Sequence, residues 1–133
     1  MRVIAPSSSR AAIDDRWDPT ALDRFSSWGI EVCFGAHADE VDDFGSSSVA
    51  SRLADLHEAF ADPEVDGILT VIGGYNANHL LDCIDDDLVR ANPKMLCGYS
   101  DITVLLHRLL VGADPRRPFH EDMRQARLVV TRQ

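Results

Sequence analysis

Positive charge is scarce in this chain, which sets 13 Lys and Arg against 22 Asp and Glu for a formal charge of −9. A surface of that sign repels phosphate backbones and anionic lipid, which argues against a nucleic-acid groove or a membrane surface as the main partner. Cysteine is also sparse. Cys33, Cys83 and Cys97 lie far apart, in apolar settings and without a CxxC pair, so they read as buried, reduced thiols of a cytoplasmic protein rather than a disulfide framework. No apolar run approaches the roughly 20 residues of a membrane span, and the opening Met1–Pro6 lacks the long apolar core of a secretory signal. A soluble cytoplasmic protein is expected, with no membrane or nucleic-acid partner.

What is present is enough for one core: 133 residues, 45% hydrophobic and 26% charged, the profile of a single globular domain. The stretch around which the rest is organised runs from Lys94 to Leu106. It holds a short apolar segment, Met95-Leu96-Cys97, then Gly98-Tyr99-Ser100-Asp101, then a helix-period run. That pattern reads as strand, sharp elbow and helix, a geometry that lifts a serine hydroxyl clear of a sheet edge beside the unpaired N–H groups of a helix start. Acyl transfer suits such a site. The usual elbow is Gly-Xaa-Ser-Xaa-Gly, whereas Ile102 stands at the last position. A plain cap, Ser100 followed by an acidic first turn at Asp101, fits the same residues.

Taken in order, Val3-Ile4-Ala5 is expected to form a first strand, ending at the polar loop Pro6-Ser7-Ser8-Ser9, whose hydroxyls and amides could meet an anion. Asp18-Pro19 marks a helix start and Gly29 its stop, with Leu22, Phe25 and Trp28 on one face. A second strand is expected over Ile30–Phe34. The loop from Gly35 to Ser48 carries four carboxylates, Asp39, Glu40, Asp42 and Asp43, but not the Asp-Xaa-Asp-Xaa-Asp-Gly order of a calcium loop, so it reads as solvated surface. Ser46-Ser47-Ser48 then caps a helix striped by Val49, Leu53, Leu56 and Phe60, with His57 on its surface. Gly67–Ile72 is nearly continuous apolar sequence and fits the centre of a parallel sheet. It runs into Gly73-Gly74-Tyr75-Asn76, after which Leu80, Leu81 and Ile84 open another helix.

Two glycines at the carboxyl end of a central strand allow a tight turn and present amides to an incoming oxygen. Parallel α/β sheets bind ligands outside the carboxyl ends of their strands, so Gly73-Gly74 and Ser100 are expected on one edge. A serine hydroxyl and a glycine-amide loop meeting there is what acyl transfer requires. The rival is a non-catalytic α/β module that holds a carboxylate or phosphate, or a degenerate fragment, with Ser100 only a cap. No local histidine suits the role of base. His107 lies seven residues past Ser100, roughly 10 Å along a helix axis. His79 reads as a surface residue, and His120 belongs to the tail.

Five segments together resemble one known family: Val3–Ser9, Asp43–Ser48, Asp55–Pro63, Ile72–Leu81 and Cys97–Thr103. They are similar to the LD-carboxypeptidase family of serine peptidases, and the Gly-Gly-Tyr-Asn form looks most like its microcin C self-immunity branch. The resemblance implies that Ser100 is the nucleophile, with the amides of Asp101 and Gly74 as oxyanion donors. Gly73, Tyr75, Asn76 and Ser7 are expected to line the substrate. It further implies cleavage of an amide next to a free carboxylate, in a small peptide or an aminoacyl-nucleotide-like molecule, through an acyl-enzyme and without metal or cofactor. The expected fold is α/β, a flavodoxin-like parallel sheet of about four strands with helices on both faces.

The family's glutamate and histidine lie in a second, C-terminal domain, which is expected to be absent from this chain. Residues 1–111 are expected to be the nucleophile-bearing domain and 112–133 a divergent, disordered tail. The charge balance changes there: residues 1–113 hold 8 basic and 19 acidic residues, and residues 114–133 hold 5 and 3. The chain alone is therefore expected to be nearly inactive, to dimerise, or to pair with a separately encoded C-terminal domain.

Overall fold

The computed structural model describes residues 1–13 and 18–113. Its elements in chain order are β1 (Arg2–Ile4), a 3-10 turn (Arg10–Ala12), α1 (Asp18–Ser27), β2 (Cys33–Phe34) and α2 (Val49–Ala61). There follow β3 (Gly67–Thr70), a 3-10 segment (Ala77–Cys83), α3 (Asp86–Ala91), β4 (Met95–Cys97) and α4 (Ile102–Ala113). The four strands form one parallel sheet in the order β2-β1-β3-β4. This matches the first four places of the flavodoxin-like order. A four-stranded parallel sheet with helices is the α/β fold that the sequence led us to expect. The expected tail lies outside the described residues from position 114 onward.

The core sits under α2, α3 and α4. Ile4 and Ile68 from the sheet meet Leu56, Ala59 and Phe60 of α2, Val89 of α3, and Leu105 and Leu109 of α4. The apolar stripe of α2 is rotated from the expected one. Its buried residues are Arg52, Asp55, Leu56, Ala59 and Phe60, while Val49 and Leu53 are half-buried. Ser48 caps this helix, accepting from Ser51 N.

Other expectations need adjustment. Pairing in β2 covers only Cys33 and Phe34, not the whole of Ile30–Phe34. The residues before it close α1 instead: Gly29, at φ +72°, ends the helix, Gly29 N donates to Ser26 O, and Ile30 N reaches back to Phe25 O. The segment after the double glycine opens as a 3-10 stretch, with α3 starting only at Asp86. The cysteines are not buried. Cys33 and Cys83 are exposed and Cys97 is half-buried, because each lies at a sheet edge or helix end. His57 is more than surface, since its Nε2 accepts from Asp85 N at 3.1 Å and ties α2 to the start of α3.

In the acidic loop three of the four carboxylates have protein partners. Asp39 pairs with Arg10, which stacks over the Phe34 ring. Glu40 meets His37, and Asp42 accepts from Phe44 N and Ser46 N. No cluster suited to a metal ion occurs among the described residues, and none of their helices is long and apolar enough to cross a membrane.

Candidate functional site

The register of β1, β3 and β4 puts three loops on one edge of the sheet. Ile4 is level with Thr70, and Leu69 with Cys97, so the chain leaves all three strands on the same side at Ser7, Gly73 and Ser100. The elbow after β4 is tight. Ser100 takes φ +63°, the one left-handed non-glycine among the described residues, a conformation costing an L-residue about 1–2 kcal/mol. The glycine this turn needs is Gly98 rather than position 102. A Cβ on Gly98 would lie 2.6 Å from both Ile102 Cγ2 and Thr70 Oγ1, and Ile102 itself is fully buried in a small cluster with Ala77 and Leu106.

Ser100 is exposed, and its hydroxyl makes no hydrogen bond among the described residues. The Asp101 N–H is also unbonded there, because the first bonded amide of the helix is Ile102 N, which donates to Tyr99 O. Across from them runs the double-glycine loop. A Cβ on Gly73 would fall 2.5 Å from Ser100 Cβ and 2.9 Å from Ser100 Oγ, so only glycine lets the loop come this close. A Cβ on Gly74 would run into the hydroxyls of Ser7 and Ser8.

The Asp101 carboxylate binds the loops together. Its Oδ1 accepts from Gly74 N at 2.7 Å, and its Oδ2 accepts from Ser7 Oγ at 2.6 Å and Ala77 N at 3.2 Å. The Gly74 amide, assigned from sequence to an oxyanion, is thus directed to this carboxylate. Ser7 is fully buried and accepts from Asn76 N at 3.2 Å, while Asn76 Nδ2 donates to Ser46 Oγ at 2.6 Å. Tyr75, next to Gly74, is 94% exposed, and Tyr99, next to Ser100, is 61% exposed.

The structure therefore brings Ser100, Asp101, Gly73, Gly74, Asn76 and Ser7 together, with Tyr75 on the outer rim. It also adds residues the sequence did not point to. Ser46, Ala77 and the buried Arg52 belong to the same network. An arginine in the apolar stripe of α2 is the one signal that could have found the last.

Known proteins share this fold. Residues 1–114 match the family model described as the LD-carboxypeptidase N-terminal domain. A putative carboxypeptidase of Treponema pallidum is 51% identical over 109 residues, 82% of this chain and 32% of that protein. A probable murein peptide carboxypeptidase of Bacillus subtilis is 38% identical over 103 residues, 77% of this chain and 31% of the other. Among solved structures, an MccF-like protein from Bacillus anthracis superposes with a TM-score of 0.83 at 49% identity, covering 84% of this chain and 34% of that one. MccF in complex with glutamyl sulfamoyl guanosine gives 0.78 at 25% identity, covering 84% and 33%. The chain spans about a third of the length of these relatives. With a family match over its described length and relatives 51% and 38% identical over most of it, this chain belongs to the LD-carboxypeptidase family.

Proposed function

We propose that the chain carries the nucleophile half of a serine hydrolase that cleaves an amide next to a free carboxylate. Ser100 Oγ attacks the carbonyl carbon and its proton passes to a base. The amine leaves with a proton as the acyl-enzyme forms, and water then releases the acid and regenerates the hydroxyl. The Asp101 N–H supplies one oxyanion donor. Gly74 N–H supplies the second, a developing full charge competing for it with the Asp101 carboxylate. The observation that carries this reading is the left-handed Ser100, its hydroxyl open and the next amide unbonded.

Since Ser100 Oγ has no hydrogen-bonded histidine among the described residues, the base comes from outside them. The candidate sources are a further segment or a separately encoded partner domain. Without a base, a triad enzyme keeps roughly 10³–10⁴-fold over water from its oxyanion site and binding, so the described residues by themselves make a slow catalyst. An LD-linked murein peptide is one substrate class, supported by the relative named for murein peptides. An aminoacyl-nucleotide-like molecule is the other, supported by the glutamyl sulfamoyl guanosine complex of MccF.

A fluorophosphonate probe tests the nucleophile directly. Purified chain should be labelled at Ser100 faster than at any other serine, and Ser100→Ala should abolish that labelling. Labelling no faster than at surface serines sinks the reading. Hydrolysis of an LD-linked tetrapeptide at ordinary enzyme rates by the chain alone would refute the claim of an external base.

A further inference from the structure

Arg52 is buried, at 4% exposure, in the first turn of α2. Arg2, Arg10, Arg90 and Arg108 each have a carboxylate within ion-pairing distance. Arg52 does not. Its guanidinium instead donates to three main-chain carbonyls: Nε to Ser47 O at 3.0 Å, and Nη1 to Pro6 O at 3.1 Å and Asn76 O at 2.8 Å. Burying a charge without a contacting counterion is costly, and an arginine kept there reflects a task for its rigid fork.

Those three carbonyls belong to three different connections: the exit of β1, the turn before α2, and the double-glycine loop after β3. Each connection also contributes to the network around the nucleophile. Ser7 follows Pro6 and donates to Asp101, Asn76 N donates to Ser7, and Ser46 precedes Ser47 and accepts from Asn76. One planar group therefore fixes the far side of the loops whose near side faces Ser100 and Asp101. A lysine ammonium has the charge but not the fork. An apolar replacement has neither: it takes the guanidinium from Pro6 O and Ser47 O and leaves Asn76 O only the His79 N–H.

We propose that Arg52 is a positioning residue for the hydrolytic site, holding the loops at Pro6, Ser47 and Asn76 so that the double-glycine turn stays against Ser100. It rests on the preceding reading only for the identity of the chemistry. The geometric part stands without it.

Amide hydrogen exchange on the full chain separates the two. In Arg52→Met the amides of Gly74, Asn76 and Ala77 should exchange about tenfold faster or more, the loss of one charged hydrogen bond being worth at least that factor. The amides of Ile68, Leu69 and Thr70 in β3 should be unchanged. Arg52→Lys should fall between wild type and Arg52→Met, and it decides the question by the same comparison if the methionine variant does not fold. Uniform acceleration across sheet and loops, or none, overturns the proposal. The second readout is fluorophosphonate labelling of Ser100, expected to slow about tenfold in Arg52→Met by the same reasoning. Unchanged labelling beside loosened loops also overturns it. If wild-type chain is not labelled at all, the hydrolase reading falls while exchange still judges Arg52.

Discussion

Adding a single methyl at Gly73 tests how closely the site is built. An ideal Cβ there would lie 2.5 Å from Ser100 Cβ, 2.9 Å from Ser100 Oγ and 3.1 Å from Asp101 Oδ1. Carbon atoms pack at about 3.5–4.0 Å, so the overlap with Ser100 Cβ is about 1 Å. That atom is fixed directly to the main chain, and no rotamer change moves it. The loop or the elbow must shift, at a cost of about 1–3 kcal/mol for overpacking. The stiffer unfolded chain of an alanine returns only about 0.4–1 kcal/mol, so Gly73→Ala should destabilise by about 1–2 kcal/mol in urea unfolding. Because the displaced group is the nucleophile itself, labelling of Ser100 should fall with it. Gly67→Ala is the matched control, with its nearest neighbours at 3.8 and 4.0 Å, and should be neutral or slightly stabilising. Equal stability of the two variants, or wild-type labelling in Gly73→Ala, would refute the close approach.

Other expectations concern single groups. Ser100→Gly and Ser100→Ala should both lose labelling, yet the glycine variant should be more stable by up to about 1 kcal/mol, the left-handed cost less the flexibility of glycine; a more stable alanine variant would contradict the observed φ. Burial pushes the Asp55 carboxyl up from its ordinary value, so its stabilising contribution is present below that value and is lost as pH rises through the raised one. The stability of wild type relative to Asp55→Asn should therefore grow on acidification from neutral pH, and a flat difference would count against it. The opposite sign holds for Asp86, whose carboxyl is lowered by its hydrogen bonds from the Arg108 guanidinium. Asp86→Asn should lose about 0.5–1 kcal/mol above the ordinary carboxylate range, the part-exposed pair being partly screened, and progressively less as pH falls through the lowered value in the same titration.

The parts of this site that could be read in sequence are those with local causes. Gly73-Gly74 after an apolar run and Ser100 after Gly98 are features of a few consecutive residues, and parallel pairing then places them on one edge without further information. Arg52 escaped because its partners at Pro6 and Asn76 are 46 and 24 residues away. Helical periodicity counts it as a polar gap beside Leu53. Asp55 escaped similarly, since it is buried only where the turn at Gly35 packs onto α2 and His37 N donates to its carboxylate. The short β2 was over-read because Ile30 and Val32 have strand character, but the closing turn of α1 engages Ile30 N first. The Asp101 carboxylate was legible as a helix-start acid. Its three donors from two other loops were not.

The left-handed twist at residue 100 also limits which nucleophiles the position can carry. Threonine would supply the same alcohol, but a β-branched residue at positive φ is a true outlier, so the turn tolerates an unbranched side chain and rejects the branched one. Exchange between the two hydroxyl residues, harmless on many surfaces, is closed off at this corner by the main chain alone.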